Sequence, residues 1–192
     1  SMPFVIRISS FVLLALASCV PLETPAQRTA RAQRLAADLV TLSPNVSRAE
    51  AQKLATTAVE RAAELQRSWR PMKYGWANNS LIHAGLRPAG LCYEWRDSTY
   101  PPLHQLHLRT FDVHLASARR ATRREHNALV ITARGQPFEQ GIVLDGWRRG
   151  GILEWARLKD DHYPWKLLPW ELTPMELRPY IMPELYPNGV PQ

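Results

Sequence analysis

Cys92, His126 and Asp145 stand along the chain in an order and context that suit acyl transfer. A thiol attacks a carbonyl as thiolate, which is favoured at a helix N-terminus or beside a protonated imidazole. Gly90-Leu91 reads as a turn into a helix that starts at Cys92, where free backbone N–H groups and the helix dipole favour negative charge. The imidazole needs a group that fixes its tautomer and orientation. His126 opens one apolar run that reads as a strand, and Asp145 closes the next. Adjacent antiparallel strands put the start of one beside the end of the other, so both side chains can face the helix carrying Cys92. Each residue also has an ordinary reading. A lone cysteine is commonly a buried structural thiol, His126 a satisfied core histidine, and Asp145 a turn residue before Gly146. Asp160 and Asp161 are alternative orienting carboxylates, although two adjacent acids before His162 read better as a solvated turn.

The chain of 192 residues has two cysteines. Cys19 closes Leu16-Ala17-Ser18-Cys19, after Arg7 and the apolar run Phe11-Val12-Leu13-Leu14-Ala15-Leu16-Ala17. That run falls short of the roughly 20 apolar residues that span a bilayer. A basic start, a short apolar centre and small residues at the end predict a secretory signal over residues 1–18, with Ser1 a cloning remnant. The ending resembles the lipobox of bacterial lipoproteins, in which the cysteine is acylated and becomes the first residue. This implies a lipid anchor at Cys19 and a place in the bacterial cell envelope. Val20, rather than Asp, after the cysteine favours the periplasmic face of the outer membrane by the same resemblance. Cys92 then has no disulfide partner in the chain, and an unpaired thiol in an exported protein calls for chemistry or an intermolecular partner.

The elements that must position these residues follow from punctuation and period. Thr24-Pro25-Ala26-Gln27 and Ser47-Arg48-Ala49-Glu50 are capping-box starts. They predict a helical hairpin to about residue 68, a scaffold or spacer between lipid and body. Residues 69–90 read as a loop-rich connector. A third helix starts near Cys92 and ends near Pro101-Pro102 or resumes to about His107. Phe111 to Ala118, Ala128 to Thr132, Gly141 to Leu144 and Ile152 to Leu158 read as strands of an antiparallel meander. The proline-rich remainder, 164–192, reads as an irregular arm anchored by Trp165, Trp170, Tyr180 and Tyr186. The fold class expected is α+β, with the core over 69–163.

Cys on a helix start, His at the head of a strand and Asp at the next strand's end resemble papain-like and transglutaminase-like cysteine enzymes. Cys92-Tyr93 resembles their Cys-aromatic step, and His126-Asn127-Ala128-Leu129-Val130-Ile131 their His-bearing strand. Asp145-Gly146-Trp147 resembles the papain-type Asn-Ser-Trp, with Asp as in transglutaminase-like members. The intervals suit the compact transglutaminase-like arrangement better than papain, over roughly residues 75–160. The resemblance implies Cys92 as nucleophile, His126 as general base then acid, and Asp145 as its orienter. It implies a peptidase, amidase or acyltransferase acting on peptide or protein amides, cell-wall peptides among them, with no cofactor or metal. The Gln that papain-like peptidases place before the nucleophile is missing from Ala84-Gly85-Leu86-Arg87-Pro88. The backbone N–H of Cys92 with Asn79 or Trp76 would then serve the oxyanion. The alternative is an inactive envelope lipoprotein that binds a protein or cell-wall peptide with the same fold.

Twenty-four basic against 17 acidic residues give a net charge of +7. An exported compartment argues against nucleic acid as the partner, and leaves anionic lipid or acidic wall polymers. Arg119-Arg120-Ala121-Thr122-Arg123-Arg124 reads as a solvated loop, with a substrate-contacting patch the open alternative because it precedes Glu125-His126. His104 and His107 have helical spacing but no third ligand, and are expected to flank a core leucine.

Overall fold

A computed structural model describes residues 20–186. The expected signal segment and Cys19 lie outside the described residues. The chain is α+β. Helices α1 (Pro25–Val40), α2 (Arg48–Trp69), α3 (Gly75–His83) and α4 (Cys92–His104) precede strands β1 (Phe111–Ala118), β2 (His126–Ala133), β3 (Ile142–Asp145), β4 (Glu154–Arg157) and β5 (Trp165–Leu167); a short α5 (Arg178–Ile181) follows. The sheet is antiparallel with order β4-β3-β2-β1-β5. Its first four strands form the expected meander.

The cap at Thr24 forms in both directions: its hydroxyl accepts from the Gln27 N–H, and Gln27 Oε1 from the Thr24 N–H. The second cap is only half the expected box. Ser47 accepts from the Glu50 N–H, but Glu50 turns outward to accept from the N–H groups of Arg109 and Thr110 and the Thr110 hydroxyl. This carboxylate ties the hairpin to the segment ahead of β1. The hairpin is no spacer. Leu35, Leu39, Leu54 and Ala58 share one continuous core with Tyr100 and Leu103 of α4 and with Phe111, Leu129, Ile131 and Leu144 of the sheet. Helix α4 lies between hairpin and sheet.

One sequence signal misled, and the two endings left open for the third helix resolve to one that passes its prolines. Residues 75–83 form a helix where a loop was expected, because Gly75 serves close approach rather than a turn. A Cβ there would lie 2.2 Å from the Trp147 ring. Helix α4 runs through Pro101 and Pro102 to His104, although an interior proline costs about 3 kcal/mol through a lost hydrogen bond and a clash. The carbonyl of Ser98, whose helical donor Pro102 lacks, instead accepts from Arg61 Nε of α2 at 3.0 Å. The C-terminal arm is also more than a cover, since β5 pairs with β1 through Ala118 and Trp165.

Because hairpin and sheet share a core, Leu54→Ala should cost about 2–5 kcal/mol. Urea unfolding followed by tryptophan fluorescence and by far-ultraviolet circular dichroism should shift together. A hairpin that melts separately from the tryptophan-bearing body would contradict the shared core.

Candidate active site

The register of the sheet decides which side chains meet. His126 faces Ala118 of β1 across the ladder, and Leu129 faces Leu144 of β3. Side chains alternate along a strand, so His126 and Asp145 fall on one face, the one covered by Trp165. Asn127 points the opposite way, towards α4. Cys92 is the first residue of α4 and lies at the seam between the two faces. Its Sγ is 3.9 Å from the Glu125 carbonyl oxygen and 3.7 Å from Asn127 Nδ2. The backbone groups that follow from this position matter. The N–H groups of Cys92, Tyr93 and Glu94 have no helical carbonyl partner. Glu94 Oε2 accepts from the Gly90 and Leu91 N–H groups just ahead of them.

His126 Nε2 and Asp145 Oδ2 are 2.5 Å apart, with both side chains buried. Asp145 is saturated by donors. Its Oδ2 also accepts from Arg148 Nε, and its Oδ1 accepts from the N–H groups of Trp147 and Arg148. Arg148 in turn lies 2.7 Å from Asp161, whose side chain is 1% exposed. Burial pushes the Asp145 carboxyl up, but His126, Arg148 and the Trp147 N–H outweigh it and hold the group below its ordinary value. Burial likewise pulls His126 down, yet the Asp145 charge and hydrogen bond, with the neighbouring Cys92 thiol, raise it to about 9. The other ring nitrogen, Nδ1, has no hydrogen-bond partner among the described residues. With Nε2 committed to Asp145, Nδ1 is the nitrogen left for the sulfur. Cys92 is among the neighbours that raise His126, while Nδ1 itself forms no hydrogen bond among the described residues.

The imidazole is enclosed by Trp147, Tyr163 and Trp165, with ring centroids 4.5, 4.7 and 5.2 Å away. Such rings favour a cationic imidazole. On the other side of β2, Asn127 Oδ1 accepts from Arg96 Nη1 at 2.6 Å, and Arg96 Nε donates to Asp97. This buried chain fixes the Asn127 amide so that its Nδ2 points at the sulfur.

The structure thus brings together Cys92, His126 and Asp145, the three residues singled out by order and context. Asn79 joins at the periphery: its Oδ1 accepts from the Trp147 indole, which lies against His126. Trp76 is 68% exposed and stacked on Tyr74, with no hydrogen bond to Cys92. The neighbouring Asn78 is the fully buried one. It accepts from the Met72 N–H and donates to the carbonyls of Ala89 and Gly90, pinning the turn into Cys92. Asp161 is no solvated turn, because it holds Arg148, while Asp160 is exposed. His104 and His107 lie apart from this site, with His104 packed between Tyr100 and Tyr180. Among the described residues no His, Cys, Asp and Glu cluster could hold a metal.

No family model, curated protein or solved structure matches the chain.

The His126–Asp145 pair should impose a two-sided pH dependence on stability. His126 binds its proton more tightly folded than unfolded, so its contribution is full below about 6.5 and disappears as pH rises through about 9. Asp145 acts oppositely, contributing above the ordinary aspartate range and losing its contribution as pH falls through its depressed value. Urea denaturation of the wild type should lose on the order of 3 kcal/mol between pH 6.5 and 9.5. His126→Gln should flatten that limb. An equally steep loss in the variant would mean that another group is titrating.

Proposed function

We propose that this chain is a cysteine hydrolase or acyltransferase that acts on amide bonds of peptides or proteins. Its core is read as papain-like or transglutaminase-like, with Cys92 as nucleophile. The observation that carries this reading is a buried imidazole whose one nitrogen is held by Asp145 while its other, unpartnered, lies by a thiol at a helix start. An unsatisfied buried nitrogen is costly. Beside a sulfur it has a use, as the site that takes and returns a proton.

In this reading the thiol proton is held on His126 Nδ1 as Sγ bonds to the carbonyl carbon. The developing oxyanion meets the free N–H of Cys92 at the start of α4. When the tetrahedral intermediate collapses, the C–N bond breaks and the leaving amine takes the proton from Nδ1. A thioester of Cys92 remains. Water or a second amine then attacks it, giving its proton to Nδ1, and the sulfur leaves. Asp145 keeps Nε2 protonated throughout, so Nδ1 is always the nitrogen in use. Lipid attachment at Cys19 would present this site to substrates at the cell envelope, where cell-wall peptides offer suitable amides.

One observation favours the second reading, an inactive lipoprotein that binds a peptide or protein partner. Cys92 is only 7% exposed, little surface for an attacking group. Reactivity separates the two readings. Iodoacetamide should alkylate Cys92 at pH 7 at least tenfold faster in the wild type than in His126→Ala, followed by mass spectrometry of the modified peptide. Peptide electrophiles of differing sequence should label the same sulfur. Slow alkylation, equal in the two proteins, would favour the binding reading.

A further inference from the structure

We propose that the β1–β2 loop, residues 119–125, is an arginine subsite for the carboxylates of an acidic peptide presented to Cys92. This deepens the proposed reading by naming a substrate class, and rests on it only for what happens after binding. Residues 119–125 are exposed throughout. They carry Arg119, Arg120, Arg123 and Arg124 against a single acid, Glu125. Arg120, Arg123 and Arg124 form no ion pair among the described residues. The loop's own carboxylate is already committed, for Glu125 Oε2 accepts from the Ala121 N–H and Oε1 from Asn127 Nδ2. Their charge is therefore free to meet a ligand.

The loop is also held in shape rather than slack. The Thr122 hydroxyl donates to the Arg119 carbonyl, the Glu125 N–H donates to the Thr122 carbonyl, and Glu125 clamps Ala121. Arg119 and Ala121 adopt left-handed backbone at φ 52° and 60°, a conformation that costs a residue with a side chain and persists where its surroundings impose it. Those same clamps reach the sulfur. Glu125 offers its carbonyl to Cys92 and its carboxylate to the Asn127 amide that points at Sγ. Arg119 lies over Tyr163, and Tyr163 lies against His126. Tyr93, which directly follows Cys92, is 46% exposed. A peptide presented to the thiol would therefore meet the arginine loop, whose last residue touches the sulfur.

All four basic residues are arginine. The planar guanidinium suits two-point binding of a carboxylate, which a lysine cannot give. A bilayer is the less suitable occupant, because the loop offers only Ala121 and Thr122 between its arginines and no large apolar side chain to insert.

The test uses fluorescein-labelled hexaglutamate, read by fluorescence anisotropy at about 50 mM salt. It compares wild type, Cys92→Ser and the combined variant Arg120→Glu, Arg123→Glu, Arg124→Glu; Arg119 is left alone because it packs on Tyr163. Hexaglutamate should bind wild type and Cys92→Ser equally and bind the charge-reversed variant at least tenfold more weakly, with an unchanged melting temperature. A neutral glycine-serine hexapeptide should bind none of them. Equal binding to wild type and the charge-reversed variant would overturn the proposal. So would arginine-dependent capture by vesicles containing 30% phosphatidylglycerol without hexaglutamate binding, which would make this a membrane-facing surface. Arginine-dependent hexaglutamate binding by a protein whose Cys92 proves inert to electrophiles would uphold the subsite while removing the hydrolase reading.

Discussion

The buried contact between His126 and Asp145 is the constraint around which the rest is arranged. Taking two ionisable groups out of water is expensive, and a core of apolar residues in the same volume is often at least as stable. Here the cost is offset only because Asp145 accepts from four donors, two of them from Arg148, whose guanidinium Asp161 also meets. Remove Asp161 and Arg148 loses one of its two carboxylate partners; remove Arg148 and Asp145 faces the imidazole with fewer donors. A chain that spent this many buried polar groups on packing alone would be unusual. The arrangement makes physical sense if the orientation and proton of the imidazole matter.

Strand β2 supplies the geometry that makes this possible. One side of its start carries His126 into the aromatic enclosure with Asp145. The other side carries Asn127 into the polar chain that ends at Asp97. Cys92 reaches the junction from the end of α4, so the sulfur receives an imidazole from one face and an amide from the other. Such a junction occurs only where a strand begins and a helix begins at the same edge of the sheet. That coincidence explains why the turn into Cys92 is pinned twice, by Asn78 at the Ala89 and Gly90 carbonyls and by Glu94 at the Gly90 and Leu91 N–H groups.

The three residues were legible in the sequence because each is tied to the boundary of an element, and boundaries carry local signals. Gly90-Leu91 marks the helix start, and the apolar runs beginning at His126 and ending at Asp145 mark the strands. The meander was legible for the same reason. What could not be read were the partners that lie far away in sequence and carry no periodic mark. Asp161 sits in an acidic pair that looks solvated, and only the fold shows that its side chain closes over Arg148. Arg96 stands on a helix of weak amphipathicity, where nothing distinguishes a buried guanidinium from an exposed one. Gly75 and the two prolines of α4 act against their usual sense because distant groups, the Trp147 ring and Arg61, change what those residues cost. The hairpin reads in sequence as a scaffold or spacer, and the spacer reading fails because its apolar stripe is completed only by α4 and the sheet.

Rigidity and access are divided between different parts of the site. His126 and Asp145 are nearly sealed, at 1% and 2% exposed. Their surroundings include the Trp147 ring, which is itself fixed by Asn79 and by the absence of a side chain at Gly75. That pair therefore has no need to move when a ligand arrives, and low dielectric around it strengthens each of its hydrogen bonds. Exposed side chains occur instead at Tyr93, next to Cys92, and over residues 119–125, whose Glu125 carbonyl lies 3.9 Å from the sulfur. The sealed His126–Asp145 pair is thus set apart from the exposed side chains of Tyr93 and residues 119–125. Substitutions among those exposed side chains can change charge or ring without disturbing the buried carboxylate and imidazole.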